Sequence, residues 1–233
     1  MLVAVLGFFA SVPLHAQEPA RLAYTRRVDK GDTTVVSFTA ESAKLSEIAA
    51  DLSKQLGVPI LVGPAWRDAT VSASVSEAAL EQALTALGPR VYVDYELRQD
   101  AAPVAREIHL VGFDDPEPAV RGMSQGLLIE GHTEETEKDA EKDPLRVLYE
   151  NQRLSVVANQ QPLVLVVRAI AEALGVPAEI KYEAPEILDL NVTSLPPEDA
   201  LVALSPQVRV DLRVDLYSGE RIVKRIALTR TAK

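Results

Sequence analysis

Apolar and polar residues alternate along this chain with two periods, and the succession of periods occurs twice. Val36-Ser37-Phe38-Thr39-Ala40 has the period of two that marks a half-buried strand. Leu45, Ile48, Ala49, Leu52 and Leu56 then fall on one face of an α-helix. Gly57, with Pro59 two residues on, stops that helix. Val58–Val62 predicts a short strand, and Val71, Ala73 and Val75 a third strand with one buried face. Leu80, Ala83, Leu84 and Leu87 mark a second helix that Pro89 closes. Arg90–Arg98 and Arg106–Gly112 predict the last two strands, joined by a turn at Asp100–Pro103.

The second pass begins at Leu154–Ala158. Its helical face is Leu163, Val166, Val167, Ile170 and Leu174, stopped by Gly175 and Pro177. Strands follow at Val176–Ile180 and at Leu188, Leu190 and Val192, and a second helix opens on Pro196-Pro197, where a missing N–H does no harm. Gln207–Asp215 and Val223–Thr229 are the last strands, around the turn Tyr217-Ser218-Gly219-Glu220. Every apolar position of the first helix returns 118 residues later, and the elements after the loop, the second helix included, return after 117. A period of this length marks a duplicated domain, because solenoid units repeat after roughly 20–50 residues. The expected fold class is α+β, with two tandem βαββαββ modules, each of two helices packed with small mixed β-sheets.

The expected boundaries are 17–113 for the first module and 148–233 for the second. Residues 114–147 carry ten acidic and four basic side chains, against a net charge of −10 for all 233 residues. Such a tract makes poor core and reads as an acidic flexible linker, with Gly126–Glu130 as a candidate extra strand inside it. No basic run is available to track phosphates, which excludes nucleic acid as the expected partner. The absence of cysteine excludes disulfides, thiolate metal sites and thiol catalysis.

Leu2–Val12 is an apolar run too short to span a bilayer, which needs ~20 residues. It reads as the core of a secretory signal at residues 1–16, with cleavage after Ala16. The expected location is therefore the periplasm or outside the cell. The rival is a buried first strand or helix.

The order of elements, the Leu-Gly-Val-Pro helix ends and the Leu/Pro-Glu-x-Ala-Leu helix starts resemble the secretin and TonB short N-terminal domain. Phe38–Ala40, Leu45–Pro59, Val71–Val75, Leu80–Leu87 and Val91–Leu97 carry the resemblance, and the second copy repeats it from Val156 to Leu212. In that family the module is a periplasmic protein–protein contact ahead of a barrel or plug. Only Arg230-Thr231-Ala232-Lys233 follow the last strand, so the resemblance carries over a pair of recognition modules and no pore.

Candidate chemistry is sparse. The histidines are His15, His109 and His132. None stands in a ligand motif, and His109, between Ile108 and Leu110, is expected to point away from the core. Neither a nucleophile motif nor a phosphate-cradling loop occurs in a fitting context. Asp94 and Asp211 occupy equivalent positions in the two copies. They are read as charge pairs on a wet sheet face or, more sharply, as a shared docking face. Trp66, whose counterpart region in the second copy holds Ala184, caps a core edge or anchors a partner.

The expectation is thus a non-enzymatic adaptor without cofactor or metal. It docks envelope proteins, an outer-membrane secretin or a TonB-linked system among them, with Trp66, Asp94 and Asp211 as candidate contacts. The alternatives are a self-assembling envelope component and a small-ligand or cell-wall-glycan binder.

Overall fold

A computed structural model describes residues 22–30, 33–119, 144–181 and 185–230. The expected signal segment, the candidate strand Gly126–Glu130, His15 and His132 lie outside the described residues. The fold is mixed α+β, with mostly strands, few helices and several small sheets. The first half runs β1 (Leu22–Lys30), β2 (Thr33–Lys44), α1 (Leu45–Leu56), β3 (Ile60–Val62), β4 (Thr70–Ala79), α2 (Leu80–Thr85), β5 (Arg90–Arg98) and β6 (Val104–Val111). The second half runs β7 (Leu145–Glu150), β8 (Arg153–Pro162), α3 (Leu163–Leu174), β9 (Ala178–Ile180), β10 (Ile187–Leu195), α4 (Pro197–Val202), β11 (Val208–Asp215) and β12 (Arg221–Leu228). A strand that the hydrophobic pattern does not announce, β1 or β7, thus opens each half. β7 begins inside the stretch read as linker.

The helices form where the period of 3.6 places them. Leu45, Ile48, Ala49 and Leu52 of α1, and Leu163, Val166, Val167 and Ile170 of α3, are buried to the last few per cent. Gly57 and Gly175 end these helices in the left-handed conformation, at φ 67° and 66°. Only glycine takes that conformation without a steric penalty from Cβ.

The strands form two three-stranded sheets, β1-β2-β4 and β10-β8-β7, and one six-stranded sheet, β3-β6-β5-β11-β12-β9. In each half α1 or α3 packs between its three-stranded sheet and its share of the six-stranded one. The two cores, centred on Phe38, Leu45 and Ile48 and on Leu154, Leu163 and Ile170, lie in these layers. Duplication extends to the irregularities. Ser42 and Gln160 carry positive φ at one bulge, and Glu77 and Ser194 at another. Glu77 donates its N–H to Ser37 Oγ at 2.7 Å, and Ser194 donates to Ser155 Oγ at 2.9 Å, so the same serine satisfies the same bulge twice.

The halves are not beads on a string. Strands β5 and β11 pair antiparallel over seven residues, from Arg209 opposite Arg98 to Asp215 opposite Tyr92. This pairing makes one continuous sheet across the repeat and turns what would be two edge strands into interior ones. Among the described residues no helix is long and apolar enough to cross a membrane.

Candidate functional site at the junction of the halves

Strands β5 and β11 divide their side chains by alternation. Val91, Val93, Tyr95 and Leu97 face the helices, with Val208, Val210 and Leu212 beside them in the apolar layer. Tyr92, Asp94 and Glu96, with Arg209, Asp211 and Arg213, share the opposite face. Tyr95 pairs with Leu212 and is also its repeat counterpart, so a pseudo-two-fold axis passes between them.

One step from that axis, Asp94 stands opposite Arg213. Arg213 donates from Nε to Asp94 Oδ1 at 2.7 Å and from Nη2 to Oδ2 at 2.8 Å, a two-pronged pair. Lys224, the bulged residue of β12, also donates to Asp94 Oδ2. His109 Nε2 lies 3.6 Å from the same oxygen and 3.2 Å from Arg213 Nη2. Asp94 and Arg213 are only 5% and 3% exposed. Their cover comes from the chain leaving β6: Pro118 accepts a hydrogen bond from Arg213 Nη1, and Glu117 pairs with Arg90 at 2.7 Å. The expectation of a wet face is corrected at this point, because the segment after β6 lies over it. Burial by itself would raise the Asp94 carboxyl; His109, Arg213 and Lys224 outweigh it and hold the carboxyl well below the usual range.

The related position on the other side of the axis brings Glu96 opposite Asp211, two acids. Each is neutralised chiefly within its own half, and Arg209 reaches Glu96 across the seam only at 3.8 Å. Glu96 takes Arg98 and Arg106, which outweigh its burial and lower its carboxyl, and Asp211 takes Arg225 Nη2 at 2.6 Å. Asp94 and Asp211 are therefore equivalent in sequence and unlike in setting. Asp94 is a buried crosslink between the halves, and Asp211 is a part-exposed partner of its neighbouring strand.

Asp94, Glu107 and His109 bring one ligand-type atom each to within 4.8 Å of one another. The donor set does not fit a metal ion. Arg213 and Lys224 already occupy the Asp94 carboxylate, and a further cation would lie against both at close range.

Trp66 ends a short 3₁₀ turn, Pro64–Trp66, and packs at the edge of the first core. A Cβ on Gly112 would come within 2.3 Å of its ring, so glycine is what lets the indole lie there. Asp115 fastens the same corner, accepting N–H groups from Ala65 at 3.0 Å and Gly112 at 2.8 Å. By sequence Asp115 falls in the acidic linker, where nothing in its neighbours signals a role. Arg213 and Lys224 were legible as charged strand residues, but nothing in their spacing points to Asp94.

On the helix side of the sheet, a cleft of about 510 Å³ opens over the axis between α2 and α4. Leu97, Val214 and Leu216 floor it, and Glu81, Arg98, Asp199 and Arg221 stand around it. A second groove of about 550 Å³ runs past Tyr149, Arg153, Pro196 and Arg221 in the second half. Trp66, Asp94 and Asp211 line neither cleft nor groove. Compared with known proteins, the chain matches no family model, no curated protein and no solved structure.

Proposed function

We propose that this chain is a secreted, periplasmic adaptor of the cell envelope that binds other proteins and performs no chemistry itself. In this reading its halves are two modules of the secretin and TonB short N-terminal type, each a βαββαββ unit with an added opening strand. The observation that carries the reading is the location of the exposed large apolar side chains. Of nine such residues among those described, four lie on the two edges of a single three-stranded sheet: Leu148 and Tyr149 on β7, and Ile187 and Leu195 on β10. Matched by strand register, the equivalent positions of the first half hold Arg26, Arg27, Thr70 and Ala78, so the fold does not require large apolar groups there. An edge strand with unpaired backbone groups and apolar side chains fits an extended segment that adds as a further strand. By the resemblance, that segment belongs to an envelope protein such as an outer-membrane secretin or a TonB-linked component.

Photo-crosslinking in intact cells, from a reactive residue at position 148 or 187, tests the reading. Discrete adducts with another envelope protein are expected, and none from the same group at Asp51. Adducts with a second copy alone would replace the adaptor by the self-assembling alternative. The small-ligand alternative rests on the groove beside Tyr149 and Arg153, whose volume lies within the range of known ligand sites.

A further inference from the structure

We propose that the cleft between the two halves binds a short peptide segment of a partner protein in which apolar side chains are flanked by lysine or arginine. The proposal rests on the adaptor reading above and names the chemistry of a second contact. The cleft exists only because the halves are joined. Its floor takes Leu97 from β5, Val214 from β11 and Leu216 just beyond it, all half-buried; α2 supplies Glu81 and α4 supplies Asp199. Its volume of about 510 Å³ accommodates a few side chains.

The charges around the floor decide the sign of the occupant. Both cations are engaged: Arg98 pairs with Glu96, and Arg221 Nη1 with the buried Glu198 at 3.2 Å. The carboxylates have charge to spare. Glu81 accepts only the neutral hydroxyl of Tyr95, and Asp199 makes no side-chain hydrogen bond or ion pair among the described residues. An acidic segment would meet two carboxylates with no unpaired cation around the floor among the described residues. A neutral one would cover the floor and leave both carboxylates unpaired at its rim. A segment with basic flanks satisfies floor and rim together. The net charge of −10 adds a long-range attraction for such a segment.

The test is a methyl-resolved NMR titration of the full chain with two synthetic probes, acetyl-KLVLK-amide and acetyl-ELVLE-amide. The basic probe is expected to move the methyl signals of Leu97, Val202, Val214 and Leu216, and to bind more weakly as salt is added. The acidic probe is expected to leave them in place. The double variant E81Q/D199N is expected to weaken the basic probe about five- to tenfold, the scale of two exposed ion pairs. Equal binding of both probes, shifts confined to β7 and β10, or no shift would overturn the proposal. Crosslinks from positions 148 and 187 that persist while the cleft methyls stay still would remove the cleft and leave the adaptor reading standing. Loss of those crosslinks in the unsubstituted chain would remove the adaptor reading itself.

Discussion

Tyr95 and Leu212 face each other across β5 and β11, and they are the same position of the repeat, 117 residues apart. A strand that pairs with its own duplicate about a central residue generates a two-fold relation, as in a symmetric dimer. Here both copies belong to one chain, so each has been free to diverge. Asp94 and Arg213 on one side of the axis have become a buried ion pair, while Glu96 and Asp211 on the other pair mainly with cations of their own halves, Arg209 reaching Glu96 only at 3.8 Å.

The first prediction follows from the burial of that pair. Asp94→Asn leaves Arg213 and Lys224 without their counter-charge at a covered site. Breaking one member of a buried pair typically costs about 3–5 kcal/mol. Urea denaturation of D94N is expected to show a loss on that scale, whereas Asp211→Asn, at a part-exposed pair, is expected to lose under about 1 kcal/mol.

The same carboxylate sets an acid limit. A folded-state pKa below the unfolded value of about 3.9 gives stability that is complete above the unfolded pKa and lost as pH falls through the folded one. Glu96 is lowered in the same direction. The stability contributed by this pair of groups is therefore level above about pH 5 and declines below about pH 4. D94N is expected to flatten the acid limb in a series of denaturation curves from pH 7 to pH 3. An unchanged limb would contradict the assignment.

Trp66 is the only tryptophan, which makes its corner visible by fluorescence. A methyl group on Gly112 would collide with the indole at 2.3 Å, whereas one on Gly88 would sit at an ordinary 3.6 Å. Gly112→Ala is expected to expel the ring, shift its emission to the red and destabilise by about 1–3 kcal/mol. Gly88→Ala is expected to keep the parent emission.

The repeated bulges make a paired prediction. Ser37→Ala and Ser155→Ala each remove the oxygen that accepts a bulge N–H, from Glu77 and from Ser194. These sites are exposed, so water replaces part of the loss. Each change is expected to lower stability by about 0.5–1 kcal/mol, with nearly equal effects in the two halves.

Much of this architecture can be read from the sequence, and its gaps have physical causes. α1 and α3 are legible because one face is apolar at a period of 3.6 and a left-handed glycine ends each. β7 is not, because Leu145–Glu150 follows directly on a charged tract and four of its six residues are exposed. The bulge residues Ser42, Glu77, Gln160 and Ser194 are polar positions whose positive φ comes from sheet register rather than from any glycine signal. The junction was hidden most completely. An edge strand and an interior strand have the same alternation, so nothing in Val91–Leu97 or Val208–Leu212 announces that the two will pair. The burial of Asp94 depends on Pro118, far along the chain, and a local pattern cannot show a lid of that kind.

Amide hydrogen exchange along β5 and β11, resolved residue by residue by NMR, tests most directly whether the repeat is one body built on a shared sheet. If the halves were separate, each of these strands would be a sheet edge, and every second amide from Arg90 to Arg98 and from Val208 to Asp215 would face water and exchange fast. The shared sheet predicts slow exchange at consecutive amides of both strands, with protection matching that of the buried helices α1 and α3. Alternating fast and slow amides on β5 or β11, or two halves that open at different free energies, would contradict it.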